Sequence, residues 1–311
     1  MASKLRELSS AIAEHVRDGN TIVMEGFTHL IPFAAGHEII RQRRRDLTLI
    51  RLTPDLLYDQ MIAAGCCRKL VFSYAGNPGV GSLHAFRRAV ERGIPGRLEL
   101  EEYSHFGLAM CLFAGAVGLP YMPVRSYHGS ELPRVNERIR PITCPFSGEP
   151  LYAVAALRPD VAVVHVQRAD EDGNAHVWGL LGVQRESAFA ARRVILTAEE
   201  IVPSSVIRSD PNRTLIPAPI VAAVCHVPFG AHPSYVQGYY DRDGDFYVKW
   251  DRISREHGSV LAWLDEWVYG LENREAYLRR LGAARLSALR PTDRFSAPVN
   301  YGSYASTDCP S

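Results

Sequence analysis

Short runs that read as strands recur along the chain, at 21–24, 47–52, 69–74, 161–167, 193–197 and 220–227, the last three β-branched and without periodic polar residues. A strand that is apolar on both faces must be covered on both faces, the condition of a parallel sheet between layers of helix. Segments of helical period separate these runs, at 33–43, 56–64 and 82–92, the last stopped by Gly93. This alternation predicts βαβ units and an α/β fold with a mainly parallel sheet flanked by helices. Ahead of the first strand, Leu5, Leu8, Ile12 and Val16 recur at helical spacing behind a candidate cap at Ser3, with Gly19 as the stop. Residues 97–101 read as another strand, residues 107–116 as an apolar helix capped by Ser104, and residues 259–281 as terminal helices.

Between 118 and 160, prolines at 120, 123, 133, 141, 145, 150 and 159 argue for extended and turn structure. No linker rich in Gly, Ser or Pro marks a boundary. One domain is expected over residues 1–290, with residues 291–311 as an extended or partly disordered tail.

Charge and composition narrow the function. The 35 Lys+Arg and 34 Asp+Glu leave a formal charge of +1, without the cationic surplus that binding a phosphate backbone needs, so no nucleic-acid partner is expected. Apolar stretches fall short of the roughly 20 residues that span a bilayer, and residues 1–10 lack the apolar core of a secretory signal. A cytoplasmic protein without a membrane partner is expected. Cys66, Cys67, Cys111, Cys144, Cys225 and Cys309 show no metal-binding spacing and read as free thiols, and no metal site is expected.

In a parallel sheet, ligands collect where strands end and helices begin. The first strand runs into Glu25-Gly26-Phe27-Thr28-His29, and the third into Gly76-Asn77-Pro78-Gly79-Val80-Gly81. Glycine lets backbone N–H groups approach a ligand, so both loops can hold an anion or oxyanion; the second also reads as a tight turn. Neither matches GxxxxGK[ST] or GxGxxG. The fourth strand leads into Glu101-Glu102-Tyr103-Ser104-His105, where a carboxylate beside a hydroxyl and an imidazole can orient a substrate or act as acid or base, or else cap the next helix. Tyr127-His128-Gly129-Ser130-Glu131 can line a pocket or form an ordered loop, and Asp170 to Asn174 reads as a hairpin turn. His226 and His232 lack the further ligands of a zinc site, and no G-x-S-x-G elbow is present.

Taken in order, Glu25-Gly26-Phe27-Thr28, Thr53-Pro54-Asp55-Leu56, Gly76-Asn77-Pro78-Gly79-Val80, Glu101-Glu102-Tyr103-Ser104, Gly118-Leu119-Pro120, Gly129-Ser130, Gly230-Ala231-His232-Pro233-Ser234 and Leu281-Gly282-Ala283 resemble the alpha subunits of class I coenzyme A transferases, of the 3-oxoadipate and glutaconate group. The resemblance implies the CoA-transferase α/β fold and a beta partner subunit in a hetero-oligomer. It implies transfer of CoA from succinyl-CoA to a short dicarboxylic acid, 3-oxoadipate first, in aromatic-compound catabolism. The attacking glutamate then belongs to the partner, and a CoA thioester is a substrate with no cofactor bound permanently. It further implies that Gly26, Phe27 and Thr28 face an oxyanion, that Gly76, Asn77 and Gly79 hold substrate or the thioester arm, and that Glu102, Ser104, Gly129 and Ser130 line the pocket. Three alternatives stand beside it: glutaconate as acceptor, a CoA-thioester hydrolase or ring-opening enzyme using Glu101 or Glu102, and a non-enzymatic acyl-CoA or sugar-phosphate binding domain.

Overall fold

The structure, a computed structural model, describes residues 3–291, so the expectation for the tail lies, beyond Pro291, outside the described residues. The strands are β1 (Thr21–Val23), β2 (Leu47–Arg51), β3 (Cys67–Phe72), β4 (Glu99–Glu102), β5 (Tyr121–Val124), β6 (Ile139–Thr143), β7 (Pro150–Ala155), β8 (Val161–Ala169), β9 (Ala175–His176), β10 (Arg193–Ile201), β11 (Thr214–Ile216) and β12 (Val221–His226). The helices are α1 (Leu8–His15), α2 (Phe33–Arg41), α3 (Leu56–Ala63), α4 (His84–Arg92), α5 (His105–Ala116), α6 (Leu132–Val135), α7 (Gln184–Ala190), α8 (Ser204–Ser209), α9 (Gly244–Ser254), α10 (His257–Leu264), α11 (Arg274–Leu281) and α12 (Ala283–Ala288).

Strands β4, β3, β2, β1, β8, β10 and β12 lie side by side in that order, every neighbouring pair parallel. Each predicted apolar run is one of these strands. Adjacent residues of a strand point to opposite faces, so the sheet separates two cores: Ile22, Leu49, Leu70 and Val163 face one, and Val23, Ile50, Val71 and Val164 the other. The first core is covered by α1–α4 and α9–α10, the second mainly by α5 and α7. At about 25 cal/mol per Å² of apolar surface, this two-sided burial is the main favourable term for the fold. Among the described residues no helix is long and apolar enough to cross a membrane.

Four regions depart from the sequence expectations or refine them. The first helix starts at Leu8 with Glu7 as its cap, not at Ser3, because residues 4–6 lie beside β12: Arg6 N donates to Val224 O and Val224 N to Lys4 O, both at 2.9 Å. The Pro-rich segment folds into a three-stranded antiparallel sheet, β5-β7-β6, with only the single turn α6 inside it. The predicted hairpin at 170–174 joins β8 to β9, and Asp170 Oδ1 accepts from the N–H groups of Gly173 and Asn174. Helix α9, for which the sequence reading has no counterpart, is capped by Asp243 and buries Tyr247, Trp250 and Ser254 along one stripe.

His37, on the buried face of α2, is packed among Phe33, Trp263 and Tyr277 and donates from Nε2 to Gln60 Oε1 at 2.9 Å. Burial lowers its pKa from 6.5 to about 3. Between those values the unfolded chain binds a proton that the folded chain does not, so this contribution to stability is present above pH 6.5 and is lost as pH falls toward 3, at about 1.4 kcal/mol per pH unit. His37→Gln keeps a donor for Gln60 and removes the titration. The slope of unfolding free energy against pH, measured by urea denaturation between pH 4 and 6, is expected to be shallower in this variant by about that amount.

Candidate active site

The sheet order reverses between β1 and β8: from β1 the chain winds outward through β2, β3 and β4, then returns to build β8, β10 and β12 on the other side. Loops on either side of such a reversal diverge and leave a crevice at the carboxyl ends of the strands. A cavity of 590 Å³ opens there, lined by the segments that follow β1, β2 and β3 and by His105 at the start of α5.

Beneath it lies a buried cation. Arg51, the last residue of β2, is 1% exposed. Its Nη1 and Nη2 donate to Asp55 Oδ1 at 2.9 Å and Oδ2 at 3.2 Å, and Nη2 also donates to Gly26 O at 2.6 Å. Asp55 in turn caps α3 by accepting from Leu57 N. A bidentate guanidinium–carboxylate pair is directional as well as strong, so it fixes the exit of β2 relative to both the α3 terminus and the loop after β1. The Glu25 carboxylate, also buried, accepts from Leu52 N at 2.8 Å, and burial pushes its pKa up while Arg51 opposes the rise.

The loop after β1 is fastened tightly. A Cβ on Gly26 would stand 2.5 Å from His29 O, so no larger residue fits, and Thr28 and Leu30 hold φ angles of 57° and 56°. His29 Nε2 accepts from Gln237 N at 3.0 Å, so the ring proton sits on Nδ1 and is directed at Leu180 O. Burial lowers the His29 pKa to about 4, and the clamp is neutral at pH 7. Within this loop the N–H groups of Phe27 and Thr28 have no acceptor among the described residues, and both residues line the cavity.

The loop after β3 forms the tight turn and also lines the cavity. Asn77 N donates to Gly81 O at 2.8 Å, Val80 N and Gly81 N return to Asn77 O, and Gly79 takes φ 74°. Asn77 is buried, and its Nδ2 is committed to Tyr247 O on α9 at 3.0 Å. Across the crevice, His105 lies 2.8 Å from Thr53 Oγ1 through Nε2 and 2.5 Å from Ser73 Oγ through Nδ1, spanning the ends of β2 and β3.

Gly26, Phe27, Thr28, Gly76, Asn77 and Gly79 are thus gathered around one crevice, with Gly26 directly behind its lining. Glu102, Ser104, Gly129 and Ser130 are not among the lining residues. Glu102 and Ser104 lie just before α5: Ser104 Oγ caps the helix by accepting from Gly107 N, Ser104 N donates to Tyr127 OH, and Glu102 O accepts from Asn136 Nδ2. Ser130 Oγ accepts from Leu132 N, and the Glu102 side chain is exposed. Glu101 is held by Lys69 Nζ at 2.7 Å and by the Tyr103 hydroxyl at 2.6 Å. Arg51, and Thr53 and Tyr74 as lining residues, carry no role in the sequence reading. The available signal was a charged residue closing an otherwise apolar strand, four positions before an Asp.

Among the described residues no group of three or more His, Cys, Asp or Glu could hold a metal ion, and Cys66, Cys67, Cys111, Cys144 and Cys225 are free; Cys309 lies outside the described residues. His232 is bonded to Asp243 and Tyr277, and His226 to the Glu199 carbonyl.

Comparison with known proteins gives a consistent picture. Residues 6–226 match the family model described as coenzyme A transferase. The chain is 54% identical over 271 residues to the alpha (A) chain of 3-oxoadipate CoA-transferase from Pseudomonas knackmussii, covering 87% of this chain and 95% of that one. It is 36% identical over 306 residues to the alpha (A) chain of glutaconate CoA-transferase from Acidaminococcus fermentans, covering 93% and 95%. The crystal structure of glutaconate coenzyme A-transferase from A. fermentans superimposes with a TM-score of 0.88 over 93% of this chain and 96% of that chain.

Removing one member of a buried ion pair leaves the other charged and unsolvated. Arg51→Ala is expected to lower unfolding free energy by about 3–5 kcal/mol in urea denaturation. Arg51→Met combined with Asp55→Asn, which keeps an oxygen for the α3 cap, is expected to recover most of that loss in the same measurement.

Proposed function

The chain belongs to the coenzyme A transferase family, and from that premise we propose that it is the alpha subunit of an enzyme that moves CoA from succinyl-CoA to 3-oxoadipate, completed by a beta subunit. One observation carries the division of labour. Of the described residues lining the crevice, the single carboxylate is Asp55, and Arg51 holds both of its oxygens. The crevice lining offers N–H groups, hydroxyls and an imidazole, but no free carboxylate to attack a thioester. That lining supports a nucleophile supplied by the partner.

The chemistry is a two-stage exchange. A glutamate supplied by the beta subunit forms a C–O bond to the thioester carbonyl of succinyl-CoA; the tetrahedral oxyanion collapses by breaking the C–S bond, giving an anhydride and CoA thiolate. The thiolate attacks the glutamyl carbonyl of the anhydride, succinate leaves as carboxylate, and a glutamyl-CoA thioester remains. 3-Oxoadipate takes the CoA by the reverse steps. Each tetrahedral stage places negative charge on a carbonyl oxygen, where preorganised donors are effective, a single one contributing roughly 3 kcal/mol. The unpaired N–H groups of Phe27 and Thr28 support that role, with Gly26 allowing the loop to fold so closely. Gly76, Asn77 and Gly79 form the wall along which the thioester arm lies. Glu102, Ser104, Gly129 and Ser130 form a neighbouring wall that the beta subunit closes over. CoA enters and leaves as substrate, no resident cofactor takes part, and the reaction belongs in the cytoplasm.

Reconstitution tests this reading. The chain alone is expected to transfer no CoA, whereas the chain with its beta subunit converts 3-oxoadipate to its CoA ester. Incubated with succinyl-CoA in the absence of acceptor, the pair is expected to show a covalent CoA adduct on the beta subunit by intact mass. Transfer by the isolated chain, or an adduct on it, would overturn the assignment. CoA release that needs no acceptor and is abolished by Glu102→Gln would establish hydrolysis instead.

A further inference from the structure

We propose that Arg51 is a positioning residue for this reaction that acts through a peptide bond, by polarising the Gly26–Phe27 unit so that the Phe27 N–H becomes the stronger donor to the oxyanion. The inference rests on the reading of the crevice given above and assigns Arg51 a part in the chemistry in addition to its part in the fold.

The geometry is asymmetric in an informative way. Arg51 Nη2 donates to the Gly26 carbonyl oxygen at 2.6 Å, the short distance of a charge-assisted hydrogen bond. That carbonyl and the Phe27 N–H are the two ends of one conjugated amide. A cation bonded to the oxygen draws electron density along O–C–N and leaves the N–H more positive, as linked hydrogen bonds polarise one another. The next peptide, Phe27–Thr28, also borders the crevice but has no donor on its carbonyl among the described residues. One of two adjacent free N–H groups is therefore coupled to a buried cation, and its neighbour is not.

Burial makes the coupling effective. Arg51 is 1% exposed, so water does not screen the bond to the Gly26 oxygen, and Asp55 fixes the guanidinium plane through two hydrogen bonds. The positive φ of Thr28 bends the chain immediately after Phe27, the kind of turn in which successive N–H groups form a concave anion site. Arg51 touches no reacting atom in this arrangement. It sets the strength and direction of a group that does.

The test uses two variants of the full chain paired with its beta subunit: Arg51→Lys, and Arg51→Met with Asp55→Asn, the second guarding against loss of folding in the first. The direct readout is amide hydrogen exchange in the substrate-free pair. Base-catalysed exchange removes the N–H proton and places negative charge on the carbonyl oxygen of the same peptide, which a cation bonded there stabilises. Losing Arg51 is expected to slow Phe27 exchange by about three- to ten-fold while Thr28 exchange stays unchanged, Thr28 being the internal control. In turnover, kcat is expected to fall by about ten- to a hundred-fold with KM for both acids nearly constant, less than the roughly 10²–10³-fold loss of a whole oxyanion donor because the N–H remains. Equal changes at both amides, or a folded variant with unchanged Phe27 exchange and unchanged kcat, would overturn the proposal. Exchange is read without turnover, so a wild-type pair that failed to transfer CoA would remove the functional reading and still leave Arg51's effect on the peptide measurable.

Discussion

The Arg51 guanidinium, buried where three segments meet, is the interaction on which the local architecture depends. It donates to both oxygens of Asp55 and to the carbonyl of Gly26, and so ties the end of β2 to the start of α3 and to the loop leaving β1. Burying a charge is costly, and the cost is offset here by a paired carboxylate and a short bond to the Gly26 carbonyl. Tyr58 completes the arrangement by donating to Ile50 O at 2.7 Å and accepting from Met24 N.

The sheet reversal accounts for where the crevice lies. All strands from β4 across to β12 run the same way, so their carboxyl ends share one edge, and only between β1 and β8 do the connections lead apart. The crevice opens beside β1, where the conformationally demanding loop through Gly26, Thr28 and Leu30 is found. A neutral His29, held between Gln237 and Leu180, anchors this loop to segments far along the chain without placing another charge beside the crevice. Fold, strain and electrostatics converge on the same residues.

Much of this was legible in sequence, for reasons that also explain what was missed. Strands such as β8, buried along nearly their whole length, leave a mainly apolar, β-branched signature, and Ser104 marks the start of α5 because a hydroxyl cap is a local interaction. Helix α9 was hidden because Phe246, Tyr247, Val248 and Trp250 are residues favoured in strands; its helical stripe is recognisable only once Asp243 is known to cap it. The spacing of Arg51 and Asp55 is visible along the chain, but that the guanidinium also reaches the Gly26 carbonyl, and that the His105 imidazole spans Thr53 and Ser73, depends on partners in other segments. Local chemistry could be read along the chain; chemistry assembled across the sheet required the fold.

The residues ahead of α1 have a consequence outside the crevice. By running beside β12, Lys4 to Arg6 occupy backbone groups that would otherwise form the open margin of a long apolar sheet. Unpaired margins of this kind recruit strands from other molecules and nucleate aggregation. The opposite margin, β4, is guarded differently, by the carboxylates of Glu99 and Glu101 and the cations of Arg68 and Lys69 that face them. Three residues of backbone on one side and a cluster of charge on the other keep neighbouring molecules from extending the sheet.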